Sequence, residues 1–171
     1  THEATVRAYN ARAKAAGASH MLGYLCATSM VGLETFDRHW SGDFRAAFKT
    51  PPSEWRQQGT NGQPLRSWYG GAYEPACMNH PDWREYERRL VRMQLEAGHD
   101  GIFFDNPTVH PDGCYCPHCM EAFGRQLKAD GLKIGNPGIE QLRQLAVDRR
   151  TDFLRFRATI AREFLADMRR F

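Results

Sequence analysis

A short apolar run, Ile102-Phe103-Phe104, lies between Gly98-His99-Asp100-Gly101 and Asp105-Asn106-Pro107, and it constrains what the rest of the chain can build. Its shortness suits a strand, and its unbroken apolarity predicts a parallel strand covered on both faces. Gly98 closes the helix before it. Asp105 and Asn106 stand where the strand emerges, and Pro107, which has no amide hydrogen, ends the pairing. In parallel α/β architectures ligands bind, and chemistry is done, at the carboxyl ends of strands. Asp105 is therefore the candidate catalytic residue, and Asn106 the candidate substrate contact beside it.

The segment that follows carries Cys114-Tyr115-Cys116-Pro117-His118-Cys119. Zinc takes four ligands in a tetrahedron, with Zn–S near about 2.3 Å. Three thiolates at C-x-C-x2-C spacing can wrap one ion from a single loop that runs into a helix. Cys77 is the leading fourth ligand, because it stands just before the helix that feeds the adjacent strand; His110, His118 and His80 are the alternatives. A shell of four thiolates is closed, so the Zn2+ it predicts is structural. Cys26, the fifth cysteine, falls within a candidate strand and reads as a small buried hydrophobe. An odd number of cysteines, three of them within six residues, is a poor disulfide framework and suits a reducing compartment such as the cytoplasm.

The remaining pattern alternates helix and strand. Val6, Tyr9, Ala13 and Ala16 predict a helix over 2–16 that stops at Gly17. A strand follows over 20–26. Residues 27–63 show little periodicity and predict a long elaborated loop, with a short helix near 43–49. A strand over 65–69 is weakly marked and ends at Gly70-Gly71. Trp83, Tyr86, Leu90, Met93 and Ala97 form a helical stripe, with Asn79 or His80 as its cap and Pro81 in its first turn. Met120, Phe123 and Leu127 predict a helix to about Asp130, and one further helix is predicted from Ile139 to Phe171.

With 171 residues, 42% of them hydrophobic and 25% charged, the chain has an ordinary globular composition. A net charge of +3, with the arginines of the last helix interleaved among acids, does not predict a nucleic-acid partner. No apolar run reaches the roughly 18 residues of a membrane span, and the N-terminus has no signal-peptide core. Two or three α/β units fit a small open sheet, or part of a barrel that needs about 250 residues when closed. A chain that opens and closes inside helical patterns favours a segment of a longer protein.

The stretch from Cys77-Met78-Asn79-His80-Pro81-Asp82-Trp83-Arg84-Glu85-Tyr86 through Asp105-Asn106 to Cys114-x-Cys116-x-x-Cys119 resembles the zinc-bearing part of clan-A glycoside hydrolase barrels, family 42 β-galactosidases among them. Asp100-Gly101-Ile102-Phe103-Phe104-Asp105-Asn106-Pro107 is similar to the α-L-fucosidase-like barrels of the hypothetical glycosyl hydrolase 6 group. The resemblance covers about residues 74–130. It implies an α/β fold, a segment of about three β/α units of a TIM (β/α)8 barrel, with Cys77, Cys114, Cys116 and Cys119 on zinc. It implies a carbohydrate substrate, Asp105 as a strand-end nucleophile, and Tyr24, Trp68, Tyr69 and Trp40 as rings able to stack on sugars. Family 42 places its acid/base glutamate where this chain has Pro107, so that role does not carry over.

Retaining hydrolysis needs a second carboxyl about 5 to 5.5 Å from the first. Glu34 and Asp37 are the only weak candidates in the loop after the first strand. Two other readings stand beside the hydrolase: a non-catalytic carbohydrate-binding or structural barrel, and a small zinc-stabilised interaction module that folds alone. A barrel segment predicts open sheet edges. Homo-oligomerisation, if any, belongs to the full-length parent.

Overall fold

Two parallel strands backed by helices on one side form the centre of the molecule. The computed structural model describes residues 2–66 and 70–170. In chain order these are α1 (His2–Ala15), β1 (Leu22–Cys26), β2 (Ser29–Val31), α2 (Gly42–Arg45), a 3-10 turn (Pro52–Trp55), β3 (Tyr73–Pro75), α3 (Pro81–Glu96), β4 (Gly101–Asp105), α4 (Pro117–Ala129), α5 (Ile139–Asp148) and α6 (Arg150–Arg169). β1 pairs in parallel with β4, Leu22 opposite Gly101 and Cys26 opposite Asp105. α3 connects them, as a parallel pair requires. β2 and β3 form a separate antiparallel ribbon. No described helix is long and apolar enough to cross a membrane.

α3 is the organising helix. His80 caps it, accepting the Asp82 amide on Nδ1 at 3.2 Å, and Pro81 occupies its first turn. Trp83, Glu87 and Val91 recur every four residues and are buried. The Trp83 indole donates to the Ala27 carbonyl, just past β1, at 3.0 Å. This bond ties the start of α3 to the carboxyl end of the strands. Trp83→Phe keeps a ring but removes the only donor on that side chain; a loss of about 1 to 3 kcal/mol is expected in urea unfolding. Asp82 accepts the Thr50 hydroxyl at 2.6 Å and the Thr50 amide at 2.8 Å, which fastens the preceding loop to the same helix end.

The far end of the strands is closed by short contacts. Asp100 accepts the Met21 amide at 2.8 Å and pairs with Lys14 at 2.7 Å, and Asn10 donates to the Ala97 carbonyl at 3.0 Å. α1 is thereby fixed against the turn into β4.

Four features differ from the sequence pattern. Residues 27–63 are not simply loop, since β2 and the 3-10 turn lie within them and β2 pairs with β3. The strand in the Gly-rich region is β3 at Tyr73–Pro75; Leu65 and Arg66 are not in a strand, and 67–69 lie outside the described residues. The final helix is two helices, broken at Arg149 (φ −107°, ψ 50°), so that α5 packs on α4 while α6 reaches α3. The β1–β4 pair is covered on one face only. Gly23 and Leu25 are buried and Phe104 meets Phe164 of α6 at 5.8 Å, whereas Leu22, Tyr24 and Phe103 are 63%, 58% and 54% exposed. Alternation along each strand therefore leaves an apolar face open, with no second layer among the described residues.

Trp40 is not a free platform. It lies in a ring cluster with Phe36, Phe44, Phe48, Trp55 and Tyr86, stacked on Trp55 at 5.9 Å and on Tyr86 at 5.5 Å.

Candidate metal centre and carboxylate rim

Two helix beginnings converge on one thiol cluster. Cys77 is drawn in by a hydrogen bond from its amide to the Trp55 carbonyl at 2.8 Å, and its own carbonyl accepts the His80 amide at 2.9 Å. Cys116 is the cap residue of α4, and Cys119 lies in its first turn. Cys114 reaches the cluster from the loop, where Gly113 is required: a Cβ there would stand 2.5 Å from Leu65 Cδ1 and 2.9 Å from the Gln58 carbonyl oxygen.

The four sulfur atoms of Cys77, Cys114, Cys116 and Cys119 all lie within 4.8 Å of one another, and all four residues are buried. Cys77 Sγ is 3.5 Å from Cys116 Sγ and 3.5 Å from Cys119 Sγ. A tetrahedron with 2.3 Å metal–sulfur bonds has sulfurs about 3.8 Å apart. The cluster is close enough to hold a metal ion after small adjustments of the sulfur positions, and none of the four is in a disulfide. The thiols influence one another strongly. Hydrogen bonding to Cys114 and Cys116, reinforced by burial, holds Cys77 well above the usual thiol range. Cys119 is raised in the same way, by Cys114 first. Burial works to raise Cys114, but hydrogen bonds from Cys116, Cys119 and Cys77 outweigh it and bring this thiol well below its usual range. Without a cation the cluster therefore retains protons, which a metal would displace on binding.

Buried and half-buried polar groups hold this loop in place. Gln57, 1% exposed, donates to the Ala76 carbonyl at 2.9 Å and accepts the His110 amide at 3.0 Å, joining the residue before Cys77 to the start of the cysteine loop. Arg143 donates to the Tyr115 carbonyl at 3.1 Å. Arg157 donates to the carbonyls of Val109 at 3.0 Å and His110 at 2.6 Å. Tyr115 stacks on Phe153 at 4.7 Å.

The histidine alternatives are outside the metal-binding group. His110 has its Nε2 against the Arg66 carbonyl at 3.0 Å. His80 spends Nδ1 on its cap, and its ring lies 4.6 Å from that of His118. Burial, then the neighbouring His118, lowers the His80 pKa to about 4, so it is neutral at ordinary pH.

At the strand end, Asp105, Asn106 and Tyr24 come together. Tyr24 Oη donates to Asp105 Oδ2 at 2.5 Å, and Asn106 Nδ2 donates to the same oxygen at 2.7 Å. Asn106 has φ +49°, a left-handed conformation that asparagine tolerates better than most residues, and its carbonyl accepts the Thr28 hydroxyl at 2.7 Å. The Tyr24 ring lies 5.9 Å from that of Phe103 on the open face. Cys26 ends β1 opposite Asp105 and is half-buried, not a core residue in mid-strand. Asp37 is held by Arg45, and neither it nor Glu34 is a hydrogen-bond partner of Asp105. Trp68 and Tyr69 lie outside the described residues.

Sequence reasoning gathered the four cysteines but missed Gln57, Arg143 and Arg157. The buried glutamine left a trace in sequence only as a polar residue soon after Trp55, which is no signal by itself. Comparison with known proteins identifies no relative: no protein-family model, no curated protein and no solved structure matches this chain.

Proposed function

We propose that the chain is part of a glycoside-hydrolase-like (β/α)8 barrel, with Asp105 at the active-site rim and a structural Zn2+ on Cys77, Cys114, Cys116 and Cys119. The supporting observation is the one-sided parallel pair. Helices back one face of β1 and β4; the other face is apolar, open, and carries Asp105 at its carboxyl end beside Tyr24. Parallel strands are ordinarily buried on both faces, and a barrel interior supplies the missing cover. Zinc is the ion best suited to four thiolates in a tetrahedron.

On this reading the protein's residues divide the work. Tyr24 and Asn106 fix the Asp105 carboxylate by hydrogen bonds to a single oxygen, Oδ2, leaving Oδ1 for a sugar hydroxyl or the anomeric carbon. Tyr24 and Phe103 offer an exposed aromatic surface on which a sugar ring can rest. The metal braces the loop and takes no part in the chemistry.

The test is turnover of activated aryl glycosides by the full-length protein and by its Asp105→Asn variant, with zinc content measured in both. A loss of about a hundredfold or more at unchanged zinc is expected. A folded, zinc-loaded protein without turnover on aryl glycosides or natural oligosaccharides removes the hydrolase reading. One observation favours a carbohydrate-binding or structural barrel in that event: Pro107 stands where the resembled family carries its acid/base carboxylate.

A further inference from the structure

The metal centre has a polar support on one side that its four sulfurs do not explain. Asn79 Nδ2 points at Cys119 Sγ, 3.5 Å away. The other end of the same amide, Oδ1, faces Arg84 Nη2, also at 3.5 Å. A guanidinium only donates, so it fixes which end of the amide it meets and leaves the NH2 for the sulfur. Arg84 is itself held at three points: Nε donates to the Met78 carbonyl at 2.7 Å, Nη1 to Asp167 Oδ2 at 3.1 Å, and its plane lies over the Phe164 ring at 5.9 Å. Asp167, near the end of α6, also accepts from Arg88 at 2.6 Å. A line of polar groups thus runs from the C-terminal helix, through α3, to one cysteine sulfur.

We infer that Asn79, oriented by Arg84 and Asp167, is a positioning residue that donates to the Cys119 thiolate and slows loss of the metal. This rests on the metal-centre reading above. Four thiolates around a divalent cation sum to a charge of −2 in a buried site. An amide N–H directed at one of them draws off charge, makes that sulfur a poorer proton acceptor and keeps it on the metal. Donors to ligand atoms in other metalloproteins commonly change metal affinity by about 10- to 100-fold when removed. The 3.5 Å separation places the expected effect near the lower end.

The probe is Co2+, loaded into the full chain in place of zinc. Its sulfur-to-metal charge-transfer band reports the electron density on the thiolates, which overall folding does not alter. Asn79→Ala is expected to shift that band to lower energy and to speed cobalt transfer to a competing chelator about tenfold. Asn79→Asp has almost the same shape, keeps Arg84 paired and replaces the donor with an acceptor, so it guards against loss of fold; it is expected to shift the band in the same direction and to lose metal faster still. Arg84→Lys is expected to give a smaller shift, and Arg89→Gln, on the same helix but paired with Glu85, none. Full cobalt loading with wild-type band position and release rate in both Asn79 variants overturns the assignment and leaves the metal centre standing. A wild-type chain that takes up no cobalt overturns both.

Discussion

A chelator that strips the metal from the four-cysteine centre is expected to unfold the protein at room temperature, or to lower its melting temperature by tens of degrees. The cluster joins positions far apart in sequence, the segment before α3 and the loop into α4, and all four of its cysteines are buried. A structural zinc contributes an apparent ~10 to 16 kcal/mol in zinc-finger peptides at neutral pH. Total stabilities of domains run about 5 to 15 kcal/mol, so even half of that figure is comparable with the whole stability of a chain of this size. The metal-free state also leaves protonated thiols buried against one another. Cys116→Ser is expected to reproduce the chelator's effect, and Cys26→Ser, outside the cluster, to leave metal content at one equivalent. Calorimetry with and without chelator, beside elemental analysis, decides the matter; a melting temperature indifferent to chelation would show that packing alone holds the loop.

The second large effect lies under the sheet. Glu87 stands between Trp83 and Val91 on the buried stripe of α3, 1% exposed, and its Oε2 has no hydrogen-bond partner among the described residues. Burial pushes its pKa from 4.5 up to about 8. A carboxyl raised in this way costs nothing below its unfolded pKa, because both states are protonated there. As pH rises past about 4.5 the unfolded chain releases the proton and the folded one retains it, so stability falls until about pH 8 and then levels off. The gap between those two values corresponds to at most about 5 kcal/mol, and water entry will reduce it to about 2 to 4. Glu87→Gln keeps the shape and removes the charge. Its unfolding free energy is expected to match the parent near pH 4.5 and exceed it by about 2 to 4 kcal/mol at pH 8.5. Urea unfolding across that range checks this; parallel curves for the two proteins would place the cause elsewhere.

The elements with a strong period or a breaker were legible from the sequence. α3 is marked by its stripe and Pro81, β4 by its apolar run, and α4 by the residues after the cysteines. The β2–β3 ribbon was not, because three residues a side are too short for an alternating pattern to stand out. The break at Arg149 was hidden for a different reason. Leu142, Ala146, Phe153, Phe156, Ile160 and Phe164 stay in helical phase across it, with neither glycine nor proline between α5 and α6. Only the need for α5 to remain on α4 while α6 reaches α3 separates them. The open face of β1 and β4 was misread because an unbroken apolar run describes what a strand prefers to touch, not what covers it here. At the metal centre the cysteine spacing is legible, whereas Asn79 reads in sequence only as a helix cap. His80 fills that place, which releases the Asn79 amide toward Cys119.

Trp83 joins the start of α3 to the carboxyl end of β1, so the thiol cluster and Asp105 lie toward one rim, while Asp100, Lys14 and Asn10 close the opposite one with short contacts. The two ends are therefore unequal in what variation they can absorb. The exposed stretches within 31–66 that lie outside the ring cluster and Gln57 can lengthen at an entropic cost that grows only slowly with length, because the cluster beside them secures the chain where it returns. The opposite end has no such anchor and no spare length: a single insertion between Ala97 and Gly101 would displace Asp100 from Met21 and slide β4 along β1. Insertions are therefore absorbed at the end that carries the thiol cluster and Asp105, and register is kept at the other.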